Sequence, residues 1–183
     1  MRPWIDDPEG RFPALRPARE RWRGVRDEYV AAAGSRGTVR PVGERVDFDA
    51  ELFGREDWSE VPILSGDGVG DDPDVAPLVA SLFRGLVPPL GSVAFSSVTT
   101  GTRIKPHYGP TNEMVTCHLG LIVPEDASIA ELGIVAGGDR RAWTEGEWMC
   151  FEDSMEHADR GRPRSGGAGS WRAQSARTNN NHS

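Results

Sequence analysis

Met114-Val115-Thr116-Cys117-His118-Leu119-Gly120-Leu121-Ile122-Val123 alternates with a period of two. Val115, Cys117, Leu119, Leu121 and Val123 point to one side of an extended chain; Thr116, His118, Gly120 and Ile122 point to the other. A strand that buries one apolar face and turns a histidine to the opposite face can line a cavity. Just upstream, Arg103-Ile104-Lys105-Pro106-His107-Tyr108-Gly109-Pro110-Thr111-Asn112 sets His107 between Pro106 and Gly109-Pro110, at a bend rather than in a helix. Downstream, the turn Thr144-Glu145-Gly146-Glu147 leads into the apolar run Trp148-Met149-Cys150-Phe151 and then to Glu152-Asp153-Ser154-Met155-Glu156-His157. Three of the four histidines therefore lie on or beside short strands, far apart along the chain. Imidazole suits iron, zinc, copper and nickel. Taken singly, each histidine reads as a surface or hydrogen-bonded residue; taken together, they read as a metal set. Composition and spacing leave both readings open, and His182, in a polar tail, takes the first.

Outward from this stretch, the pattern before it is β from Gly91, with Val93-Ala94-Phe95-Ser96-Ser97-Val98. After it, Leu132 to Ala136 reads as a strand and Gly137-Gly138-Asp139 as a hairpin turn. The first part of the chain is helical. Trp22, Val25, Tyr29 and Ala32 recur at three and four residues between about Pro17 and Ala33, with Gly34 as a stop. Asp74 is a cap for a helix to about Arg84, with Gly85 after it. Residues 4 to 15 read as an extended arm. Glu51-Leu52-Phe53 and Asp57 to Leu64 read as short extended pieces, and Trp58 as core packing. Asp67-Gly68-Val69-Gly70-Asp71-Asp72 lacks the terminal acid of a calcium loop and reads as a solvated turn. Many short strands with Gly/Pro turns behind N-terminal helices predict a mostly β fold, a jelly-roll sheet pair with helices packed on one sheet.

Composition narrows the function. The 183 residues suit one domain, and a net charge of −7 disfavours nucleic acid or an anionic membrane as partner. No apolar run is long enough for a membrane span, and the first residues lack a signal peptide's apolar core. Cys117 and Cys150 sit in apolar runs and read as buried, reduced thiols, which fits a cytoplasmic setting. The segment Ala158 to Ser183 differs from the rest. It holds Arg160, Arg162, Arg164, Arg172 and Arg177 against the single acid Asp159, with Trp171 as its one large apolar residue. So little apolar surface predicts a disordered tail over 158–183.

Four blocks occur in order: Gly101-Thr102-x-Ile104-x-Pro106-His107-x-Gly109-Pro110-Thr111-Asn112, His118-Leu119-Gly120-Leu121, Trp143-x-Glu145-Gly146-Glu147, and Phe151-x-Asp153-Ser154-x-Glu156-His157. Together they resemble the aspartyl/asparaginyl β-hydroxylase family of iron- and 2-oxoglutarate-dependent oxygenases. The likeness covers about residues 1–157, a helical part to about 90 and a jelly-roll part over 91–157. It implies a double-stranded β-helix (cupin-like) core, with His107 and His157 as the catalytic, Fe(II)-binding pair. Position 109, where many such oxygenases have a carboxylate, is glycine, as in this branch, where water fills the place. The resemblance further implies cosubstrate contacts from His118 to the 1-carboxylate of 2-oxoglutarate and from Ser96 to its other end, with Trp58 nearby.

Two positions depart from the pattern. Thr116 stands where the family has an arginine, and a hydroxyl does not replace a bidentate cation. The arginine expected on a late apolar strand is also missing: its place falls at Gly166 or Gly167, and Arg162, Arg164 and Arg172 lie outside any apolar run. The implied activity is a dioxygenase that uses molecular oxygen to hydroxylate Cβ of an aspartyl- or asparaginyl-type substrate, free, carrier-tethered or peptidyl. The runner-up is a catalytically impaired jelly-roll protein binding a metal or small acid, and the third is a three-histidine zinc hydrolase. In all three, Asp153 and Glu156 read as turn and surface residues.

Overall fold

The computed structural model describes residues 2–35, 40–41, 58–69, 71–86, 91–99, 103–108, 114–123, 133–160 and 170–179. The extended piece predicted at Glu51-Leu52-Phe53 lies outside them. Among these described residues, eleven strands follow in chain order: β1 (Trp4–Ile5), β2 (Arg40–Pro41), β3 (Trp58–Ser65), β4 (Ser92–Thr99), β5 (Arg103–His107), β6 (Met114–Ile122), β7 (Ile134–Ala136), β8 (Asp139–Arg141), β9 (Trp148–Glu152), β10 (His157–Arg160) and β11 (Ser170–Asn179). They form a seven-stranded sheet, ordered β1-β9-β6-β11-β4-β3-β2, and a four-stranded sheet, ordered β5-β10-β7-β8. Every ladder is antiparallel. This is the predicted jelly-roll.

The two faces of the large sheet hold two separate cores. On the outer face, Val61, Ile63, Val93, Phe95, Val115, Cys117, Leu119, Leu121 and Cys150 meet the helices α3 (Trp22–Gly34) and α4 (Pro77–Phe83). Tyr29 of α3 lies edge-on to Phe95 at 5.3 Å. Each fully buried aliphatic side chain here contributes about 1.5–3 kcal/mol. On the inner face, Val98, Met149, Phe151 and Trp4 meet Ile134 and Ala136 of the small sheet, with Trp143 closing one side. Among the described residues, no helix is long and apolar enough to cross a membrane.

Several local expectations change. The predicted arm over residues 4–15 is not wholly extended. Only Trp4–Ile5 is strand, paired with β9, and Pro8–Arg11 forms the short helix α1 with Asp7 accepting from Gly10 N–H. The predicted helix from Pro17 is broken at Arg21, between α2 (Arg16–Glu20) and α3. The helix expected from Asp74 begins instead at Pro77, because proline fits a first helical turn and not an interior. Its free N–H groups at Leu78 and Val79 are taken by the Glu28 carboxylate of α3, at 2.7 and 3.1 Å. The Gly137-Gly138 hairpin forms as predicted, with φ of 56° and 85°, both in the region that favours glycine.

The largest correction concerns the tail. The backbone over 157–160 and 170–179 is not disordered: β10 joins the small sheet, and β11 fills the slot between β4 and β6. Counting apolar side chains missed this. β4 and β6 each present a full edge of N–H and C=O groups to that slot, and pairing those groups drives the strand in.

Candidate metal centre

Strands β5 and β10 are neighbours in the small sheet, and their register sets His157 directly opposite His107. The two imidazole centroids lie 4.1 Å apart, with the rings tilted by 58°. Tyr108 and Glu156, one residue from each histidine, add a hydrogen bond from the Tyr108 hydroxyl to Glu156 at 3.3 Å. The chain reaches His157 through a tight turn after β9, in which Met155 N–H donates to Glu152 C=O. That turn carries the strand from the large sheet to the small one, and it folds Asp153 inward. Asp153 is only 2% exposed, so the surface role read from the sequence is wrong.

Hydrogen bonding fixes what His157 can offer. Its Nδ1 lies 2.9 Å from Met155 C=O, a partner that can only accept, so Nδ1 carries the proton. Its Nε2 faces Asp153 Oδ1 at 3.4 Å, an ion pair when the ring is protonated and two facing acceptors when it is neutral. A cation between or beside them suits the neutral ring. The other carboxylate oxygen, Asp153 Oδ2, is buried and finds no hydrogen-bond partner among the described residues. A buried carboxylate oxygen without a partner among the described residues, beside one imidazole nitrogen and with a second, tilted imidazole close by, fits a divalent cation. Among the described residues, no three His, Cys, Asp or Glu side chains form a ready-made cage. The donor set is two imidazoles with one carboxylate alongside.

The remaining predicted residues gather on the inner face of the large sheet. Trp58 (β3) donates its indole N–H to Ser96 Oγ (β4) at 2.7 Å. Ser96 is thereby used as an acceptor, and its O–H is left as the donor it can aim at a ligand. Thr116 and His118 alternate on β6, with Phe151 and Met149 opposite them on β9. Thr116 is buried, and its hydroxyl finds no partner among the described residues. Phe151 lies between the groups: its ring centroid is 5.1 Å from His157 and 5.8 Å from His118. All six residues predicted for the site thus face the space between the sheets. Asp153 was not foreseen, since Asp-Ser-Met-Glu reads as a turn and nothing in it marks burial. Trp143 was noted only as part of a motif, and it contacts His118 directly. Glu145, read as a turn residue, accepts from Val123 N–H at 2.9 Å and so pins the end of β6.

On the other face of β6, Cys117 stands opposite Cys150 of β9, both reduced and buried. Burial, with the neighbouring thiol second, pushes the Cys150 thiol far up. It is a core side chain and not a metal ligand.

Comparison with known proteins gives the chain its relatives. The chain is 27% identical over 162 residues to mouse aspartyl/asparaginyl beta-hydroxylase, taking in 85% of this chain and 20% of that protein. It is 42% identical over 67 residues to the frog Xenopus tropicalis aspartate beta-hydroxylase domain-containing protein 2, covering 37% of this chain and 17% of that one. The chain thus spans about a fifth of the length of these curated relatives. A Pseudomonas putida prolyl-4-hydroxylase structure has the same fold, with a TM-score of 0.55 at 14% identity, covering 88% of this chain and 87% of that one. The model of the family described as aspartyl/asparaginyl beta-hydroxylase matches residues 19–163, and the chain belongs to that family.

Proposed function

We propose that this chain is an Fe(II)- and 2-oxoglutarate-dependent dioxygenase that hydroxylates Cβ of an aspartyl- or asparaginyl-type unit, free, carrier-tethered or peptidyl. The observation that carries this reading is the pairing of His107 with His157 beside the buried Asp153 carboxylate. The names of the relatives support the reaction class.

His107 and His157 would hold the ferrous ion through ring nitrogens. Asp153 would balance its charge and orient a water at the position that Gly109 leaves without a ligand. Bound together, Fe(II) and 2-oxoglutarate supply the oxidation, in which one oxygen atom of O2 enters the substrate C–H bond, the other enters succinate, and carbon dioxide leaves. The chain's own task is binding and exclusion of water. His118 and Thr116 would meet the carboxylate nearer the metal, and the Trp58–Ser96 pair the farther one. Trp4, Trp143, Met149 and Phe151 wall the space with apolar surface, which strengthens the electrostatics inside. The two unpaired buried thiols suit a reducing, cytoplasmic setting.

Thr116 also favours a second reading. A buried hydroxyl in place of a guanidinium weakens acid binding, as expected of an impaired binder that does not turn over. An anaerobic titration separates the two. Fe(II) with 2-oxoglutarate should give a visible charge-transfer band, and admitting oxygen should release succinate. A band without succinate supports the impaired binder. No band refutes the dioxygenase reading.

A further inference from the structure

The Trp143 indole nitrogen lies 3.1 Å from His118 Nδ1, and the two ring planes are within 6° of one another at a centroid separation of 5.9 Å. This is an edge-to-edge contact within a common plane, not a face-to-face stack. An indole N–H lies in its ring plane, and so does the lone pair of an unprotonated imidazole nitrogen. Near-coplanarity therefore aligns donor with acceptor. Indole nitrogen only donates, so Nδ1 of His118 must accept, and the ring proton of the neutral imidazole must reside on Nε2.

The contact is held in place by the fold. Trp143 precedes the turn Thr144–Glu147, which docks on β6 at Gly120: Gly146 N–H donates to Gly120 C=O at 2.8 Å, and Gly120 N–H donates to Glu147 C=O at 3.2 Å. A Cβ at Gly120 would lie 2.2 Å from Thr144 C=O, so only glycine allows this approach. His118 is two residues along the same strand, on the same face as Gly120.

We infer that Trp143 is a positioning residue that locks His118 as an Nε2–H donor, barring it from metal ligation and dedicating it to an oxygen acceptor of a bound acid. To ligate a metal through Nε2, the ring would have to move its proton to Nδ1, where it would meet the indole N–H head-on. The three-histidine centre is closed by that conflict between two donors. An Nε2–H suits a carboxylate or carbonyl oxygen. The tautomer is independent of the proposed function, whereas the acid it serves rests on the 2-oxoglutarate reading.

The test starts with the native full-length chain labelled with 15N-histidine. Long-range proton–nitrogen spectra report which ring nitrogen carries hydrogen, and His118→Gln identifies the signal. The expected pattern for His118 is protonated Nε2 and bare Nδ1. A protonated Nδ1 in the native protein overturns the inference, whether or not any variant folds. Trp143→Phe keeps an aromatic ring and removes the donor. It should convert the His118 signal to a mixture of tautomers and weaken anaerobic 2-oxoglutarate binding by the reciprocal of the fraction left as Nε2–H, about twofold for an even mixture. Zn(II) or Fe(II) binding without 2-oxoglutarate should stay within about twofold, because His118 is not a ligand. An unchanged tautomer in Trp143→Phe, or a tenfold loss of affinity for the metal alone, overturns the inference. If native protein shows the expected tautomer but binds no 2-oxoglutarate, the cosubstrate reading and the acid-binding half fall together, and the lock stands on its own measurement.

Discussion

The two faces of β6 divide the work of the molecule. Val115, Cys117, Leu119 and Leu121 are all fully buried against the helices, with no polar atoms beyond a thiol. Thr116 and His118, interleaved with them, face the other sheet and carry polar groups: the Thr116 hydroxyl finds no partner among the described residues, and His118 accepts from the Trp143 indole. Adjacent residues thus serve opposite ends: one set is apolar core, the other polar and turned to the space between the sheets. A period of two lets one strand do both, provided its register never slips.

The sharpest way to break this division is at the histidine pair. His157→Ala removes a bare nitrogen from the centre and should abolish both the charge-transfer band and succinate release, while urea unfolding shows a folded protein. If the band survives, the pair is not the metal site. Leu119→Ala attacks the other face. It should cost about 2–5 kcal/mol in urea denaturation through the cavity it leaves, yet metal affinity of the folded fraction should be unchanged. A coupled loss would mean the faces are not separable. Asp153→Asn sharpens the comparison within the site, since it keeps shape and removes charge. Fe(II) affinity measured anaerobically should fall about 10- to 100-fold, and a gain in affinity would contradict the charge-balancing role.

The smallest effect lies far from both faces. Arg141 beside Asp6 holds its exposed carboxyl below the usual carboxylate range. A depressed folded pKa adds stability above the unfolded value and loses it as the pH falls through the folded one. Asp6→Asn should therefore slightly flatten the acid side of a Tm-against-pH curve, and moderate salt should erase the difference. A large or salt-independent change would show that this pair is more than a surface contact.

Much of the fold was legible. β6 announces itself by alternation, β9 by a short apolar run after a turn, and Gly137-Gly138 by its turn chemistry. What stayed hidden depended on partners distant in sequence. Pro77, not Asp74, starts α4, and the carboxylate that caps it comes from Glu28, about fifty residues earlier. β11 was invisible because its stabilisation is backbone pairing in a slot that other strands create. In the site, the family resemblance pointed to the histidines, Ser96 and Thr116. The burial of Asp153 follows from a chain crossing between sheets, and the contact of Trp143 with His118 from the turn seated on Gly120. Neither crossing nor seat has a local signature.

β11 has a consequence for how the molecule comes into being. It is the last described strand in chain order, yet it lies at the centre of the large sheet, between two strands synthesised long before it. During translation, β4 and β6 must wait with two bare edges, each able to recruit a foreign strand. A nascent chain that stalls before Ser170 would hold most of its hydrophobic core and still be sticky, so the arrival of β11 is what retires both exposed edges.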